Sequence, residues 1–304
     1  MRLTPSLWIL YLQDSIMRRI TLILALSISF YFSLSGQEKR ALLIGIGEYP
    51  TNSEWNVIHG DNDVAIISEW LQKNGFSSDN INSLINEEAT YDGIISSLER
   101  LIELSRKNDI IYIQFSGHGQ LITDLDGDEN DGWDECWIPY DAYKRYMVHK
   151  YTGTKHLSDD ILYYYLGRLR NKVGNGGKII VIADSCHSGG GSRAEYDFCR
   201  GTGDKFVLPS NTVTFTEMHA SEKEVKWLHI AACKSYQTNY EYRMADGSYC
   251  GSLTHIISNT ENDCIRASYE DLIKDWKSQM QRISKYPQTI EEEGKPNKHT
   301  NTIF

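Results

Sequence analysis

Two apolar, β-branched runs end abruptly in small residues that carry a reactive side chain. One leads into Ser116-Gly117-His118-Gly119, the other into Asp184-Ser185-Cys186-His187-Ser188-Gly189-Gly190. In open parallel sheets, sites form beyond the carboxyl ends of the strands, so His118 and Cys186 face each other if these two strands are neighbours. An imidazole within hydrogen-bond reach takes the thiol proton, and the thiolate is the nucleophile. The flanking glycines let a substrate carbonyl approach the backbone, with the N–H groups of Gly119 and Cys186 as candidate donors to an oxyanion. His187 adjoins Cys186 in the chain and its side chain should diverge from it, so His118 is the preferred base. A lone Cys after a buried strand is often a small core residue. The joint appearance of Cys and His at two matching strand ends is what favours Cys–His acyl transfer.

The same cysteine invites a second chemistry. Residues 186–193, Cys-His-Ser-Gly-Gly-Gly-Ser-Arg, are similar to the loop of cysteine phosphatases, in which backbone N–H groups and an Arg cradle phosphate. That loop is one residue shorter between Cys and Arg, so Arg193 would be misaimed, and Asp184 puts negative charge where the dianion would sit. A cysteine phosphatase is therefore a remote alternative. Residues 124–135, Asp-Leu-Asp-Gly-Asp-Glu-Asn-Asp-Gly-Trp-Asp-Glu, have a carboxylate density that suits calcium. As an EF-hand counted from Asp124 the segment fails, because Glu129 stands where Gly is needed. A looser oxygen-ligand site and a solvated acidic loop both remain open.

From Arg40 onward, short apolar runs alternate with helix-period segments, the pattern of an α/β sheet with helices on its faces. Residues 41–47, 81–85, 110–115, 178–183 and 227–232 read as strands, with a short one at 288–290. Residues 61–73, 91–106 and 158–170 read as helices, the last with Ser158 as N-cap and Asp159 and Asp160 in its first turn. Helix-like segments follow around 251–257 and 269–283. Residues 189–219 are polar, Gly-bearing and without period, and read as a loop or linker. The simplest organisation is a large catalytic lobe over 37–190, a linker loop over 191–225 and a small lobe over 226–304.

The chain has 304 residues, with 31 Lys plus Arg against 41 Asp plus Glu, and a net charge of −10 that argues against a nucleic-acid partner. Hydrophobic residues at 40% and charged residues at 24% fit neither wholesale disorder nor a multi-span membrane protein. Residues 20–34 are uncharged and apolar, follow Arg18 and Arg19, and are closed by Ser33-Leu34-Ser35-Gly36, so a signal peptide over 1–36 is expected. The stretch is shorter than the roughly 20 residues that span a bilayer. Trp8, Tyr11 and Asp14 suit a basic leader poorly, which makes Met17 the expected start. The protein should then be secreted or periplasmic, the alternative being a membrane anchor formed by an uncleaved leader. Export would permit disulfides among Cys136, Cys199, Cys233, Cys250 and Cys264, with at least one of these unpaired if Cys186 stays free.

The chain resembles a caspase-like cysteine peptidase, and among these it is most similar to the metacaspases. The resemblance rests on Leu42-Leu43-Ile44-Gly45-Ile46, Asn62-Asp63, Ser116-Gly117-His118-Gly119, Asp126-Gly127-Asp128-Glu129 with Asp134-Glu135, Ile138-Pro139, Asp159-Asp160 and Asp184-Ser185-Cys186-His187-Ser188-Gly189. It is nearly continuous from 40 to 190 and resumes more weakly at 227–241 and 251–257. It implies a caspase-like three-layer α/β sandwich with a mostly parallel central sheet and large and small lobes. It also implies peptide-bond hydrolysis after Arg or Lys, with His118 as general base and Cys186 as nucleophile. Asp63 and Asp184, with Ser116 nearby, match positions that line the primary specificity pocket. Two carboxylates there should accept a cation and repel an acidic side chain.

Calcium is implied as an activating ion, with Asp134, Asp159 and Asp160 at the ligand positions; a further acidic ligand after the nucleophile is unmatched, Glu195 and Asp197 being the nearest substitutes. No organic cofactor is implied. Self-cleavage in the loop after the catalytic strand is expected from the resemblance, with Arg193, Arg200, Lys205, Lys223 and Lys226 offered there. The expected partners are protein or peptide substrates with Arg or Lys at the cut, without nucleic acid, and the membrane only through an uncleaved leader; the chain is expected to be a monomer. The rival from another class is a catalytically silent module that binds basic peptides through Asp63 and Asp184, and an intact Cys–His pair argues against it.

Overall fold

Strands buried on both faces are apolar at odd and even positions alike, and three of the strands here have that character. The computed structural model describes residues 36–127, 129, 131–187, 198–209, 225–261, 268–297 and 302–304. The expected leader up to residue 35, Arg193, Glu195, Asp197, Lys223 and Cys264 lie outside the described residues. Along the chain run β1 (Lys39–Gly45), β2 (Ile81–Ile85), β3 (Ile110–Ser116), β4 (Gly119–Thr123), β5 (Trp133–Trp137), β6 (Leu157–Ser158), β7 (Lys178–Asp184), β8 (Leu228–Ala231), β9 (Glu241–Arg243), β10 (Tyr249–Gly251) and β11 (Glu291–Gly294). The helices are α1 (Gly60–Lys73), α2 (Tyr91–Leu104), α3 (Asp159–Val173), α4 (Ser252–Ser258) and α5 (Tyr269–Ile283).

Six strands form the central sheet in the order β11-β8-β7-β3-β1-β2, all parallel except the edge strand β11. One face presents Ala41, Leu43, Tyr112, Ile180 and Ile182 to α1, α4 and α5; the other presents Leu42, Ile44, Ile113, Ile179 and Val181 to α2 and α3. The result is a three-layer α/β sandwich. β7 and β8 are hydrogen-bonded neighbours, so the segments before and after the 191–225 stretch share one sheet. Among the described residues, Cys136, Cys233 and Cys250 are free thiols.

Three features differ from the sequence reading. The last strand lies at Glu291–Gly294, not 288–290, because Glu-Glu-Glu-Gly on an exposed edge carries no apolar pattern, whereas Ile290 just before it is a buried core residue. The antiparallel pairs β4–β5 and β9–β10 were not foreseen, being short and mostly polar or half-buried. Residues 198–208, read as linker, are seated along β4, with bridges from Gly201 to Gly119 and from Phe206 to Ile122.

Candidate active site

β3 and β7 end level, Ser116 opposite Asp184, so His118 and Cys186 each lie two residues past the ends of adjacent strands. Both side chains are buried. His118 Nε2 lies 2.8 Å from the carbonyl oxygen of Asn56. A carbonyl only accepts, so Nε2 carries the ring proton and Nδ1 is the basic nitrogen. Nδ1 is buried without a hydrogen-bond partner among the described residues. Trp55 stacks on the ring at 4.9 Å and Tyr49 lies at 5.3 Å, while the Tyr49 hydroxyl accepts from the His118 N–H at 3.0 Å. Burial pushes this imidazole down to about 4 and the Cys186 thiol well above its ordinary value. The resting pair is thus thiol and neutral imidazole, and the proton moves only with attack.

The chain's own Arg200 is seated at this pair. Its carbonyl oxygen accepts from the N–H of Cys186 at 2.9 Å and of Gly119 at 3.3 Å, the two donors that an oxyanion would need. Its N–H donates to Asn239 O at 3.0 Å, and the N–H of Glu241 donates to Phe198 O at 3.0 Å, so the segment adds to the edge at 239–241 like an extended peptide. The next residue is held against the nucleophile, since a Cβ on Gly201 would lie 2.6 Å from Cys186 Sγ.

The Arg200 side chain fills a buried acidic pocket. Nη1 donates to Asp63 Oδ2 at 2.5 Å and Nη2 to Asp63 Oδ1 at 3.2 Å, a bidentate pair. Nη1 also donates to the Asp184 carbonyl at 3.3 Å and lies 3.7 Å from its carboxylate. Glu241 Oε1 takes Nε at 3.0 Å and Nη2 at 2.9 Å. The carboxylates are held by their own partners: Asp63 accepts from the Gly251 N–H at 2.9 Å, Asp184 from the Thr254 N–H at 2.7 Å and the Asn239 amide at 2.8 Å. The two backbone donors come from the N-terminal end of α4, where the helix dipole favours anions. Burial, ahead of the opposing pull of Arg200, raises the Asp184 carboxyl. Ser116 is linked to the pocket through Gln114, whose amide reaches its hydroxyl at 3.3 Å and that of Thr254 at 2.9 Å. A phosphate dianion entering here would meet three carboxylates, which disfavours the phosphatase reading.

His187 Nδ1 lies 3.2 Å from Glu135 Oε2, which engages that nitrogen away from the Cys–His chemistry. Glu135 is held down at about 2, chiefly by His187. The neighbouring Asp134 points to the other side of β5, where its carboxylate and those of Asp159 and Asp160 offer oxygens within 4.8 Å of one another. Asp134 Oδ1 is buried without a hydrogen-bond partner among the described residues. Burial, then repulsion from Asp159 and Asp160, pushes Asp134 up to about 8. An orphaned buried oxygen among crowded carboxylates fits a hard divalent cation such as calcium.

These buried groups set an acid limit on stability. His118, His156 and His229 stay neutral in the fold down to about 4, about 3 and about 4, against an ordinary 6.5. The unfolded chain takes up those protons first, so stability is full above 6.5 and falls as the pH drops toward the folded values. Asp134 opposes this, because its raised value lets the fold keep a proton that the unfolded chain has lost. Between pH 6.5 and 5 each of the three imidazoles costs on the order of 1–2 kcal/mol, and Asp134 opposes this, as does His187, whose value Glu135 raises against burial. Urea midpoints at the two pH values check this: a lower midpoint at pH 5 is expected, and an unchanged or higher one would mean that the buried imidazoles do not outweigh the groups that keep protons in the fold.

The structure thus brings Asp63, Asp184, Cys186 and Gly119 onto one seated arginine, with His118 on the strand end beside Cys186, and gathers Asp134, Asp159 and Asp160 separately. Sequence reasoning missed Glu241, Asn239 and Thr254 in the pocket and Asn56, Trp55 and Tyr49 around His118. Asn239, Glu241 and Thr254 lie within the stretches of weaker resemblance, which singled out no residue, and only tertiary contact brings all six in.

A family model described as "Metacaspase, peptidase C14 domain" matches residues 39–192. Metacaspase III c of Phaeodactylum tricornutum is 33% identical over 158 residues, covering 50% of this chain and 43% of that protein. Metacaspase-1 of Meyerozyma guilliermondii is 30% identical over 169 residues, covering 53% and 38%. The match thus spans less than half the length of these curated relatives. Among solved structures, protein GSU0716 from Geobacter sulfurreducens aligns with TM-score 0.57 at 20% identity, covering 86% of this chain and 95% of that chain. Caspase-1 from Spodoptera frugiperda aligns with TM-score 0.51 at 10% identity, covering 86% and 88%. At these identities the likeness is one of fold, and the fold is caspase-like.

Proposed function

We propose, since this chain belongs to the metacaspase peptidase C14 family, that it is a cysteine endopeptidase cutting peptide bonds after Arg or Lys. The observation that carries this is Arg200, seated with its carbonyl on the Cys186 and Gly119 N–H groups and its guanidinium on Asp63. A substrate arginine entering the same way presents its carbonyl carbon to Cys186. Sγ attacks that carbon as its proton passes to His118 Nδ1, and the oxyanion is held by the two N–H groups. Collapse breaks the C–N bond, with His118 Nδ1 returning the proton to the leaving amine. Water then attacks the thioester, giving a proton to His118, and the acid leaves as Sγ regains its proton. The neutral His118 and buried thiol suit this sequence, since each proton is needed only in transit.

The test is hydrolysis of fluorogenic peptides ending in Arg, Lys or Asp by the full-length protein and by Cys186→Ala. Turnover after Arg or Lys that vanishes in the variant is expected. Cutting only after Asp would refute the pocket, and no cutting at all would favour the silent peptide-binding module.

Calcium is the proposed activating ion, held by Asp134, Asp159 and Asp160. It would neutralise their crowded charge beside the strand that carries Glu135 to His187 and so to the nucleophile loop. Because Asp134 is mostly protonated at neutral pH, binding should release close to one proton at pH 7. Calorimetry in two buffers of different ionisation enthalpy reads that proton directly, and Asp134→Asn should abolish the release. Binding without proton release would sink the assignment of Asp134.

A further inference from the structure

We infer that Glu241 makes this pocket select arginine over lysine, by taking the Nε–Nη2 edge of the guanidinium. This rests on the peptidase reading above and names what sets its specificity. A guanidinium has five N–H donors in a plane; four are hydrogen-bonded here, and Nη2 also lies 2.9 Å from Glu241 Oε1 as an ion pair. Asp63 takes one from each terminal nitrogen, the Asp184 carbonyl takes a second from Nη1, and Glu241 Oε1 takes the one on Nε while pairing its charge with Nη2. An ammonium brings three donors from a single point, so it cannot serve the Asp63 edge and the Glu241 edge together.

Glu241 is built for this task. Its side chain is fully buried, Oε1 also accepts from the His59 N–H at 2.7 Å, and Oε2 lies 2.6 Å from His59 Nδ1. The His59 ring is in turn fixed between Tyr249, stacked at 5.1 Å, and the edge of Phe198 at 4.7 Å. With lysine in the pocket, this buried carboxylate would lose the two guanidinium contacts and gain no equivalent pair. Failing to satisfy a polar group already out of water is the strong form of discrimination.

The full-length protein is assayed with two fluorogenic peptides that differ only in Arg or Lys before the scissile bond. Any segment still seated in the site competes equally with both and cancels from the ratio of their kcat/KM values. The ratio should favour Arg by about tenfold or more in the wild type and fall by about fivefold or more in Glu241→Gln, which keeps the shape and loses the charge. A wild-type ratio near unity, or one unmoved in Glu241→Gln while Arg peptides are still cut, overturns the role of Glu241 and leaves the peptidase reading standing. No cutting of either peptide by the wild type overturns the peptidase reading and this inference with it. Where Glu241→Gln fails to fold, judged by its melting curve, the wild type decides alone: n-butylguanidine should inhibit at lower concentration than n-pentylamine, and equal inhibition overturns the inference.

Discussion

Incubated at neutral pH with calcium, the full-length protein is expected to cut itself between Arg200 and Gly201, giving a C-terminal fragment that begins at Gly201. Of the described basic residues after the catalytic strand, Arg200 is the one whose carbonyl rests on the N–H groups of Cys186 and Gly119 and whose side chain fills the acidic pocket. The bond that follows therefore lies at the nucleophile. Lys205 and Lys226 are described and lie elsewhere: Lys205 covers the Trp133 ring at 4.0 Å, and the Lys226 carbonyl accepts from Arg170 at 2.7 Å.

Intact mass and N-terminal sequencing locate the cut. Cys186→Ala should remain whole, and Arg200→Gln should slow cutting at this bond by about 10³-fold, since removing one member of a buried ionic cluster costs several kcal/mol. The same cut in Cys186→Ala would assign it to another protease, and a wild-type cut at a different bond would refute the reading of Arg200. The fragments should stay together in gel filtration, because β7 and β8 lie on opposite sides of the cut and are neighbours in the sheet.

Asp63→Asn should lower kcat/KM for Arg peptides by about 10³-fold, close to 4 kcal/mol at 1.36 kcal/mol per factor of ten. Asp63 offers both oxygens to the guanidinium, and the amide nitrogen of Asn would face it donor to donor. Because Asp63 also pairs with the seated Arg200, the melting temperature should fall too, so kcat/KM is compared well below the variant's own transition. Arg peptides cut within tenfold of the wild-type rate by Asp63→Asn would remove Asp63 from the pocket. Asp184 should be less sensitive as a direct contact, because its carboxylate stands 3.7 Å from the guanidinium and is engaged by Thr254 and Asn239.

The strands that carry the chemistry were legible because burial on both faces leaves an unmistakable record. Ile110 to Ser116 and Lys178 to Asp184 are buried at every position, and residues at their ends need no apolar explanation. Helix α5 was read over 269–283 and is observed there, its apolar stripe and its Ser268 cap both being local signals. The edge strand β11 escaped because it is exposed throughout, and the pair β9–β10 because three residues are too few to show an alternation.

The sequence by itself determined the layered α/β plan, the two strand ends and the reactive pair on them, since hydrophobic period and the chemistry of Cys and His are properties of local runs. It also pointed to Asp63, Asp184 and the acidic trio, through motif resemblance. Only the tertiary structure decided that 198–208 is seated in the site, that Arg200 is the residue in the pocket, and that Glu241 completes it. Arg200 and Asp63 are 137 positions apart in the chain, and an interaction at that separation depends on which elements the sheet order brings together. One of two arginines in a polar stretch carries no local mark of where its guanidinium will go.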